Sequence, residues 1–313
     1  MTNIYSKIVG TGSYLPKKIL TNHDLEKMVD TSHEWIFERT GINQRHIASE
    51  DESSVDMAYH ASEQALKMAM LSPKDIDMIV LATTTPERKF PSTAVLLQNK
   101  LDIENGFAFD INAACTGFIY ALDVADKYIK GGYATNVLVV GTEKITSLLD
   151  WKDRNTCVLF GDGAGSVVLS SHEQPGILSN KIGSDGAYKD LLTVNTDNEF
   201  IEMKGNDVFK IAVNTMGKLA VATLKENNVN INDISWLIPH QANSRIINAI
   251  AKKINLPKEK LIMTVSEHGN TSAASIPLAI DYANSRKMLK DNDLIMLEAF
   301  GAGFTWGSTL LRF

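Results

Sequence analysis

Residues 73–80 of the chain read PKDIDMIV, and residues 231–238 read INDISWLI. In both stretches an Asp-Ile pair is followed, after one polar residue, by an apolar run that is typical of a β-strand. The two pairs begin at Asp75 and Asp233, so the offset between them is 158 residues (233 − 75). A single match of this length can arise by chance, so a repeat is inferred only when several matches occur in the same order.

Three further matches support the repeat. They are residues 136–141 (NVLVVG) with 293–298 (DLIMLE) at an offset of 157, Cys115 with Asn270 at 155, and residues 165–169 (GSVVL) with 307–311 (GSTLL) at 142. The smaller last offset predicts an extra loop in the first half, over residues 144–159. We interpret the chain as two halves, residues 1–172 and 173–313.

Strand and helix patterns alternate along both halves. One helical stretch has Met57, His60, Ala61, Gln64, Ala65 and Met68 on the face predicted to pack inward. The predicted strands are residues 78–82, 107–111, 137–140, 166–169, 234–238, 294–297 and 305–311. This interleaving predicts an α/β architecture in which helices pack on mixed sheets.

The composition favours a globular protein over a nucleic-acid-binding or membrane protein. The chain has 313 residues, of which 44% are hydrophobic and 22% charged, the balance of a globular protein with a large core. A net charge of −6 argues against a nucleic-acid partner, and no apolar run is long enough to span a membrane. The first residues lack the features of a signal peptide, and two cysteines do not make a disulfide framework. We therefore expect a cytoplasmic enzyme.

Cys115 lies between a predicted strand, residues 107–111, and an apolar stretch, residues 116–122, that predicts a buried helix. The positive end of a helix dipole stabilises a thiolate, so a cysteine at such a strand-to-helix corner is a candidate nucleophile. A free cysteine is otherwise a small buried hydrophobic residue, and Cys157, which lacks such a corner, keeps that interpretation.

His240 and Asn270 also lie at the ends of predicted elements. His240 follows the strand of residues 234–238 through Pro239, and Asn270 lies in a run of small residues that starts a helix. Taken singly, His240 is interpreted as a structural histidine and Asn270 as a helix cap. Together with Cys115, they match a thiolate with two hydrogen-bonding partners.

Three motifs around these residues resemble the active-site motifs of the β-ketoacyl-[acyl carrier protein] synthase III family: residues 113–118 (AACTGF), 239–243 (PHQAN) and 269–277 (GNTSAASIP). The resemblance extends from residues 10–16 (GTGSYLP) to 303–308 (GFTWGS), which is essentially the whole chain. It implies a thiolase-like fold, in which two duplicated αβ halves form a layered αβαβα core. It also implies the acyltransferase that initiates type II fatty-acid synthesis by joining a short acyl-CoA, with acetyl-CoA the first candidate, to malonyl-[acyl carrier protein].

The mechanism that the resemblance implies assigns a role to each motif. Cys115 attacks the acyl-CoA thioester, forms an acyl-enzyme and releases CoA. After the malonyl group has lost carbon dioxide, His240 Nε2 and the Asn270 amide stabilise the enolate oxygen, each by about 3–4 kcal/mol. The carbanion then attacks the acyl-enzyme, while backbone N–H groups of Cys115, Gly303 and Phe304 hold the tetrahedral oxyanion. No metal or redox cofactor is required.

The resemblance further implies two binding surfaces and a homodimer. The CoA adenine is expected between an indole and a guanidinium. The CoA-binding residues are expected to be Trp35, Arg39, Arg154, Gly205, Asn206, Phe209, Ala242 and Asn243. Since carrier proteins are acidic, we expect a basic patch, formed by Lys210, Arg245, Lys252 and Lys253. Phe90 matches a position that reaches across the homodimer to close the acyl pocket.

Other classes of protein share some of these sequence features. A papain-like hydrolase uses Cys, His and Asn in the same order, but its local cysteine signature is missing. Two glycine-rich stretches, residues 10–12 and 161–165, suggest a dinucleotide-binding oxidoreductase, yet the first lacks a third glycine and the second leads into a strand. The three intact active-site residues argue against a non-catalytic acyl-CoA-binding scaffold. Polyketide- and quinolone-forming relatives keep the same three residues, so they stay open, as does the length of the primer.

Overall fold

The structure is a computed structural model that describes residues 4–194 and 199–313. The strands of the described residues are β1 (Tyr5–Tyr14), β2 (Lys18–Thr21), β3 (Gln44–Ile47), β4 (Met78–Ala82), β5 (Phe107–Ile111), β6 (Asn136–Glu143), β7 (Gly163–His172), β8 (Ile177–Ser184), β9 (Leu192–Val194), β10 (Ile201–Met203), β11 (Trp236–Pro239), β12 (Leu294–Gly301) and β13 (Thr305–Arg312). The helices are α1 (Asn22–Leu25), α2 (His33–Thr40), α3 (Ser54–Ala69), α4 (Thr93–Lys100), α5 (Gly117–Lys130), α6 (Gly205–Glu226), α7 (Ser244–Lys253), α8 (Val265–His268) and α9 (Ser275–Ser285).

Two sheets repeat one strand arrangement. The first has the order β5-β4-β6-β7-β1, in which β5, β4 and β6 are parallel and the other two pairs antiparallel. The second has the order β11-β12-β13-β8, again with one parallel pair followed by two antiparallel pairs. In the second sheet a parallel bridge between Leu237 and Leu261 takes the place of β5. The repeat predicted from the sequence is therefore present in the topology.

The sheets and helices form five layers. Helix α5 lies between the sheets, where it contacts β4 and β6 on one side and β8 and β13 on the other, and α9 lies beside it. Helices α3 and α4 cover the outer face of the first sheet, and α6 and α7 cover the outer face of the second. Strand β4 is apolar on both faces, which is why helices cover both sides of the first sheet. Met78 and Val80 face the central core, and Ile79 and Leu81 face the outer core. The αβαβα prediction is confirmed.

The strand-to-helix corners correct one pairing within the repeat. Cys115 lies in a single 3₁₀ turn, Ala114–Thr116, and the matching turn of the second half is Ser272–Ala274. Each turn begins with a residue in the left-handed region, Ala114 at φ 47° and Ser272 at φ 49°. The offset of these turns is 158 (272 − 114), the same as that of the strand starts Met78 and Trp236 (236 − 78). Cys115 therefore pairs with Ala273, and its predicted pairing with Asn270 is wrong by three residues.

Asn270 pairs instead with Asn112, at the same offset (270 − 112). The Oδ1 atom of each asparagine accepts a hydrogen bond from the backbone N–H two residues later, at 3.3 Å from Ala114 and 2.9 Å from Ser272. The smaller offset near the C-terminus is confirmed, since β7 and β13 begin 142 residues apart (305 − 163). The extra loop lies between β6 and β7, as predicted.

Helix α3 packs on β1 with a buried face that differs from the predicted one. Met57, Ala61 and Ala65 are buried as expected, but the other three predicted residues, His60, Gln64 and Met68, are exposed. The buried stripe continues instead through Ala58, Ser62 and Leu66.

Two glycines of β1 allow the backbone of α3 to pack closely against the strand. A Cβ atom at Gly10 would lie 2.2 Å from the carbonyl oxygen of Ala65, and one at Gly12 would lie 2.2 Å from that of Ala61. These glycines allow the helix to pack closely on the strand. Residues 10–12, the first of the two candidate dinucleotide-binding stretches, therefore have a structural role.

All seven predicted strands are present, two of them with the predicted bounds, Met78–Ala82 and Phe107–Ile111. Strand β11 starts two residues later than predicted, because Ile231–Asp233 forms a capped 3₁₀ turn. The division into domains at residues 172 and 173 stays a prediction. It falls between β7 and β8, but side chains of both halves share the central core.

Candidate active site

The three predicted catalytic residues line one cavity of about 470 Å³. Cys115, His240 and Asn270 all line it, and each lies at the end of an element: before α5, after β11 and before the turn that starts α9. His240 and Asn270 are buried, and Cys115 is partly exposed.

The corner at Cys115 is built by close approaches. A Cβ at Gly117, the first residue of α5, would lie 2.9 Å from the Cβ of Ala82. A Cβ at Gly301, which ends β12 and lines the cavity, would lie 2.8 Å from the backbone nitrogen of Cys115. These glycines therefore let α5 begin directly over the strand ends, with the Cys115 thiol at the cavity.

His240 is held by its backbone and by Ser275. Its N–H donates to the carbonyl oxygen of Glu298 at 2.7 Å, and its Nδ1 lies 2.6 Å from Ser275 Oγ. Ser275 Oγ also accepts a hydrogen bond from the N–H of Gln241 at 3.3 Å. Burial lowers the pKa of His240 to about 3, so its ring is neutral at physiological pH.

Asn270 is held by two backbone hydrogen bonds and by one hydrogen bond of its side chain. Its N–H donates to the carbonyl oxygen of Leu159 at 2.9 Å, and its own carbonyl accepts from the N–H of Gly161 at 3.0 Å. Its Oδ1 accepts from the N–H of Ser272, which leaves the Nδ2 amide group as the donor that the side chain presents. The stretch of residues 161–165 therefore supports Asn270 and leads into β7, so the second dinucleotide-binding stretch has a structural role.

Burial raises the pKa of the Cys115 thiol to about 11. The Glu143 carboxylate acts in the same direction, while a hydrogen bond with Ser272 acts against it.

The exposed end of the cavity contains most of the predicted CoA-binding residues. The guanidinium carbons of Arg39 and Arg154 lie 4.5 Å and 5.1 Å from the centre of the Trp35 ring. Arg154 also donates to the carbonyl oxygen of Asp30 at 2.8 Å and does not line the cavity. Asn243 has an added structural role, because its Oδ1 caps α7. The predicted CoA-binding residues that do line the cavity are Trp35, Arg39, Gly205, Asn206, Phe209, Ala242 and Asn243.

The predicted basic patch is exposed on α6 and α7. The guanidinium of Arg245 lies 5.8 Å from the Phe209 ring at the cavity mouth. Lys253 reaches α6, where its Nζ donates to Asn214 Oδ1 at 2.9 Å. The exposed residues of the patch are Lys210, Arg245, Lys252 and Lys253.

The oxyanion contribution of Gly303 and Phe304 stays a prediction, and at Phe304 the structure shows a competing contact. The Phe304 N–H already donates to the carbonyl oxygen of Asp185 at 2.8 Å, and neither residue lines the cavity. Gly301, two residues earlier, is the one that lies against the Cys115 nitrogen.

Phe90 lies outside the cavity of its own chain, and 85% of its surface is exposed. Within the described ranges no group of three His, Cys, Asp or Glu side chains could hold a metal ion. No helix in that part of the chain is long and apolar enough to cross a membrane.

Comparison with known proteins decides the family. Residues 109–186 match the model described as 3-oxoacyl-[acyl-carrier-protein (ACP)] synthase III, and residues 224–313 match that of its C-terminal part. The β-ketoacyl-[acyl-carrier-protein] synthase III of Thioalkalivibrio sulfidiphilus is 55% identical over 320 residues, which cover 99% of each chain. The chain belongs to the β-ketoacyl-[acyl-carrier-protein] synthase III family.

Solved structures agree with membership of the synthase III family. The 3-oxoacyl-[acyl-carrier-protein] synthase III of Aquifex aeolicus is 51% identical with a TM-score of 0.96, over 98% of this chain and 100% of that one. The priming β-ketosynthase of the R1128 polyketide pathway has a similar TM-score of 0.95 but is only 33% identical, over 98% and 96%. The enzyme is accordingly an acyltransferase of the condensing class with the thiolase fold, and it initiates type II fatty-acid synthesis.

Three supporting residues of this synthase III site were not identified from the sequence. Ser272 and Ser275 lie in the motif of residues 269–277, within the run of small residues that starts a helix. Glu143 ends an apolar strand and is fully buried. An acidic residue that directly follows a buried strand was the available signal.

Proposed function

We propose that the enzyme transfers a short acyl group, with acetyl the first candidate, from CoA to Cys115 and condenses it with malonyl-[acyl carrier protein]. The observation that carries this proposal is the convergence of Cys115, His240 and Asn270 on one cavity that opens beside Trp35. Cys115 Sγ attacks the thioester carbonyl, the carbonyl oxygen becomes an oxyanion, and CoA leaves when the tetrahedral intermediate collapses. We assign the Cys115 N–H, which lies against Gly301, as a donor to that oxyanion.

His240 acts in the second half-reaction as a hydrogen-bond donor. We assign the Ser275 hydroxyl as the donor in its 2.6 Å contact with His240 Nδ1. The ring proton of the neutral imidazole is then on Nε2. This Nε2–H and the Nδ2–H of Asn270 stabilise the enolate that forms when the malonyl group loses carbon dioxide. The carbanion attacks acyl-Cys115 and expels the thiolate.

The cavity mouth fits CoA and the carrier. Trp35 offers an aromatic face to the adenine, and one of the two guanidinium groups beside it, Arg39 or Arg154, would have to move to admit a base. The pantetheine arm would follow the part of the cavity lined by Phe209 and Ala242. The cations on α6 and α7 would attract the acidic carrier to this mouth. The cytoplasmic location stays a prediction.

A homodimer is supported by the exposed edge of the first sheet. Strand β5 is the edge strand, so one row of its N–H and C=O groups has no partner within the sheet. Phe107 of β5 is 41% exposed, and Phe90 and Tyr133 are more exposed still. Pairing of two β5 strands would satisfy that edge and cover apolar surface, and Phe90 could then approach the acyl pocket of the second copy.

The proposal is tested by the intact mass of the protein after incubation with acetyl-CoA, beside the Cys115→Ala variant. A gain of one acetyl group in the wild type but not in the variant is expected. Added malonyl-[acyl carrier protein] should then discharge it as an acetoacetyl product. If acetyl-CoA and other short acyl-CoAs leave Cys115 unmodified while a longer acyl-CoA acylates it, the polyketide-type alternative replaces this proposal.

A further inference from the structure

Arg45 of β3 is among the largest side chains that the fold buries completely. None of the ion pairs within the described residues includes it. Burial lowers its pKa to about 10, so the guanidinium is still charged at neutral pH. A buried charge without a carboxylate partner is unfavourable unless hydrogen bonds compensate it. The acceptors of those hydrogen bonds therefore indicate what this side chain does.

The Arg45 guanidinium joins two segments that lie far apart in the sequence. Its Nη1 donates to the carbonyl oxygen of Leu20 at 3.1 Å and to Asn22 Oδ1 at 3.0 Å. Its Nη2 donates to the carbonyl oxygen of Val158 at 2.8 Å. The planar fork of a guanidinium can hold acceptors at two of its corners at once, whereas the ammonium of lysine is a single point. Arg45 thus connects the corner between β2 and α1 with residues 158–161.

Residues 158–161, here called the wall segment, form part of the active-site cavity and hold Asn270. The first three of these residues line the cavity. The Asn270 N–H donates to the carbonyl oxygen of Leu159 at 2.9 Å, and the Gly161 N–H donates to the carbonyl oxygen of Asn270 at 3.0 Å. The two bonds form an isolated parallel bridge that lies outside the sheets. The backbone of Asn270 is therefore held by the wall segment and not by a continuous strand ladder.

The stem of Arg45 packs against both sides of this bridge. A Cβ at Gly161 would lie 2.9 Å from the Arg45 Cβ, and a Cβ at Gly269, which precedes Asn270, would lie 3.0 Å from it. Both chains of the bridge thus have a glycine where they pass the stem, and their backbones lie directly against it. Arg45 contacts the bridge with its stem and the start of the wall segment with its guanidinium.

We propose that Arg45 is a positioning residue for Asn270 and that it acts through the wall segment. Its hydrogen bond to Val158 and its packing against Gly161 keep the bridge in place, so that the Asn270 Nδ2–H stays aimed at the enolate oxygen. Arg45 does not line the cavity, so it does not contact the reacting atoms itself. The effect on the reaction rests on the proposed function of Asn270, whereas the effect on the bridge does not.

The first experiment follows the bridge without any substrate. Arg45→Met removes the guanidinium and keeps an unbranched apolar stem. Amide hydrogen exchange, followed by mass, should become about tenfold faster at Asn270 and Gly161, because their N–H groups are bonded across the bridge. Exchange in α3 should not change. Asp126→Asn is the control, because Asp126 is a buried carboxyl that bonds Ser6 elsewhere in the core, and it should leave the bridge as it is.

The second experiment is a double-mutant cycle on the release of carbon dioxide from malonyl-[acyl carrier protein]. Asn270→Ala should slow this release about 10²- to 10³-fold, and Arg45→Met should slow it about tenfold with an unchanged KM. If Arg45 acts through Asn270, Arg45→Met should cause no further loss in the Asn270→Ala background. A role in stability alone predicts that the two losses multiply. Acetylation of Cys115 should be unchanged in Arg45→Met, because it does not use the Asn270 amide.

Arg45→Lys separates the position of Asn270 from the buried charge. It keeps the charge, but its ammonium does not hold Leu20 and Val158 together, so decarboxylation should recover only in part. Full recovery, independent losses in the cycle or unchanged exchange at the bridge would each overturn the proposal. If Arg45→Met does not fold, Arg45→Lys is measured in both experiments and decides in the same way. A wild type that neither becomes acetylated nor releases carbon dioxide would reject the proposed function, and the exchange experiment would still decide whether Arg45 holds the bridge.

Discussion

Replacement of Ser275 by alanine tests whether a single hydroxyl sets the tautomer of His240. The Ser275 hydroxyl lies 2.6 Å from His240 Nδ1 and accepts from the Gln241 N–H. Without it, the buried ring loses the partner that places its proton on Nε2, and it can rotate or change tautomer. The donor to the enolate is then present in only part of the molecules and is less well aligned.

The expected loss follows from this one hydrogen bond. A hydrogen bond between neutral groups contributes about 1–1.5 kcal/mol, which corresponds to about a tenfold decrease in the rate of condensation. Complete removal of the donor in His240→Ala should cost about 10²- to 10³-fold. Acylation of Cys115 should be unchanged in both variants, because in our mechanism His240 neither accepts the thiol proton nor contacts the first oxyanion.

The assay separates the two half-reactions. Acetylation of Cys115 is followed by intact mass, and release of carbon dioxide from malonyl-[acyl carrier protein] reports the second step. Ser275→Thr keeps a hydroxyl and serves as the rescue variant. The reasoning is refuted if Ser275→Ala condenses as fast as the wild type, or if it loses acylation and condensation equally without loss of stability.

Three further perturbations test packing, pH dependence and carrier binding. Gly10→Ala places a Cβ 2.2 Å from a carbonyl oxygen of α3 and should lower the free energy of unfolding by about 2–3 kcal/mol in urea denaturation, whereas Gly186→Ala, which meets nothing within 4 Å, should not. His268 has its pKa lowered to about 4, mainly by burial, so the unfolded chain binds its proton first and stability falls between pH 6.5 and 4. His268→Gln should remove up to about 3 kcal/mol of that acid loss in urea denaturation, and an acid loss equal to that of the wild type would contradict the assignment. Lys252→Glu should raise the KM for malonyl-[acyl carrier protein] about fivefold and leave acylation by acetyl-CoA unchanged, and a KM that does not respond to charge reversal would reject the basic patch.

The fold was predictable because it is repeated. Each half supplies the same apolar strands, and a strand that is buried on both faces has few alternatives in a sheet of this kind. What the pattern did not fix was local register. The pairing of Cys115 with Asn270 missed by three residues, because small residues around both corners give no periodic signal. The face of α3 was likewise set by contacts with Gly10 and Gly12, which lie in a strand far away in sequence.

The catalytic residues were predictable from motifs, but their hydrogen-bond partners were not. Cys115, His240 and Asn270 carry chemistry that few other residue types can supply at such positions. The roles of Ser272 and Glu143 depend on a contact across 129 residues, which no local pattern contains. At Phe304 the motif predicts a free N–H donor, but this N–H already donates to the carbonyl oxygen of Asp185, which the sequence does not reveal.

The repeat explains why the site uses both halves. Strands β6 and β12 end at equivalent residues, Glu143 and Gly301, again 158 apart (301 − 143). Each strand end contacts the corner of the opposite half: Glu143 bonds Ser272, and Gly301 lies against the Cys115 nitrogen. The backbone arrangement repeats in the two halves, but the side chains at the equivalent strand ends differ. Glycine at one end leaves room for the thioester beside Cys115, while the carboxylate at the other end binds the Ser272 hydroxyl in the turn that follows Asn270. A side chain at Gly301 should therefore block acylation, and the intact mass of Gly301→Ala after incubation with acetyl-CoA, beside the wild type, would show it.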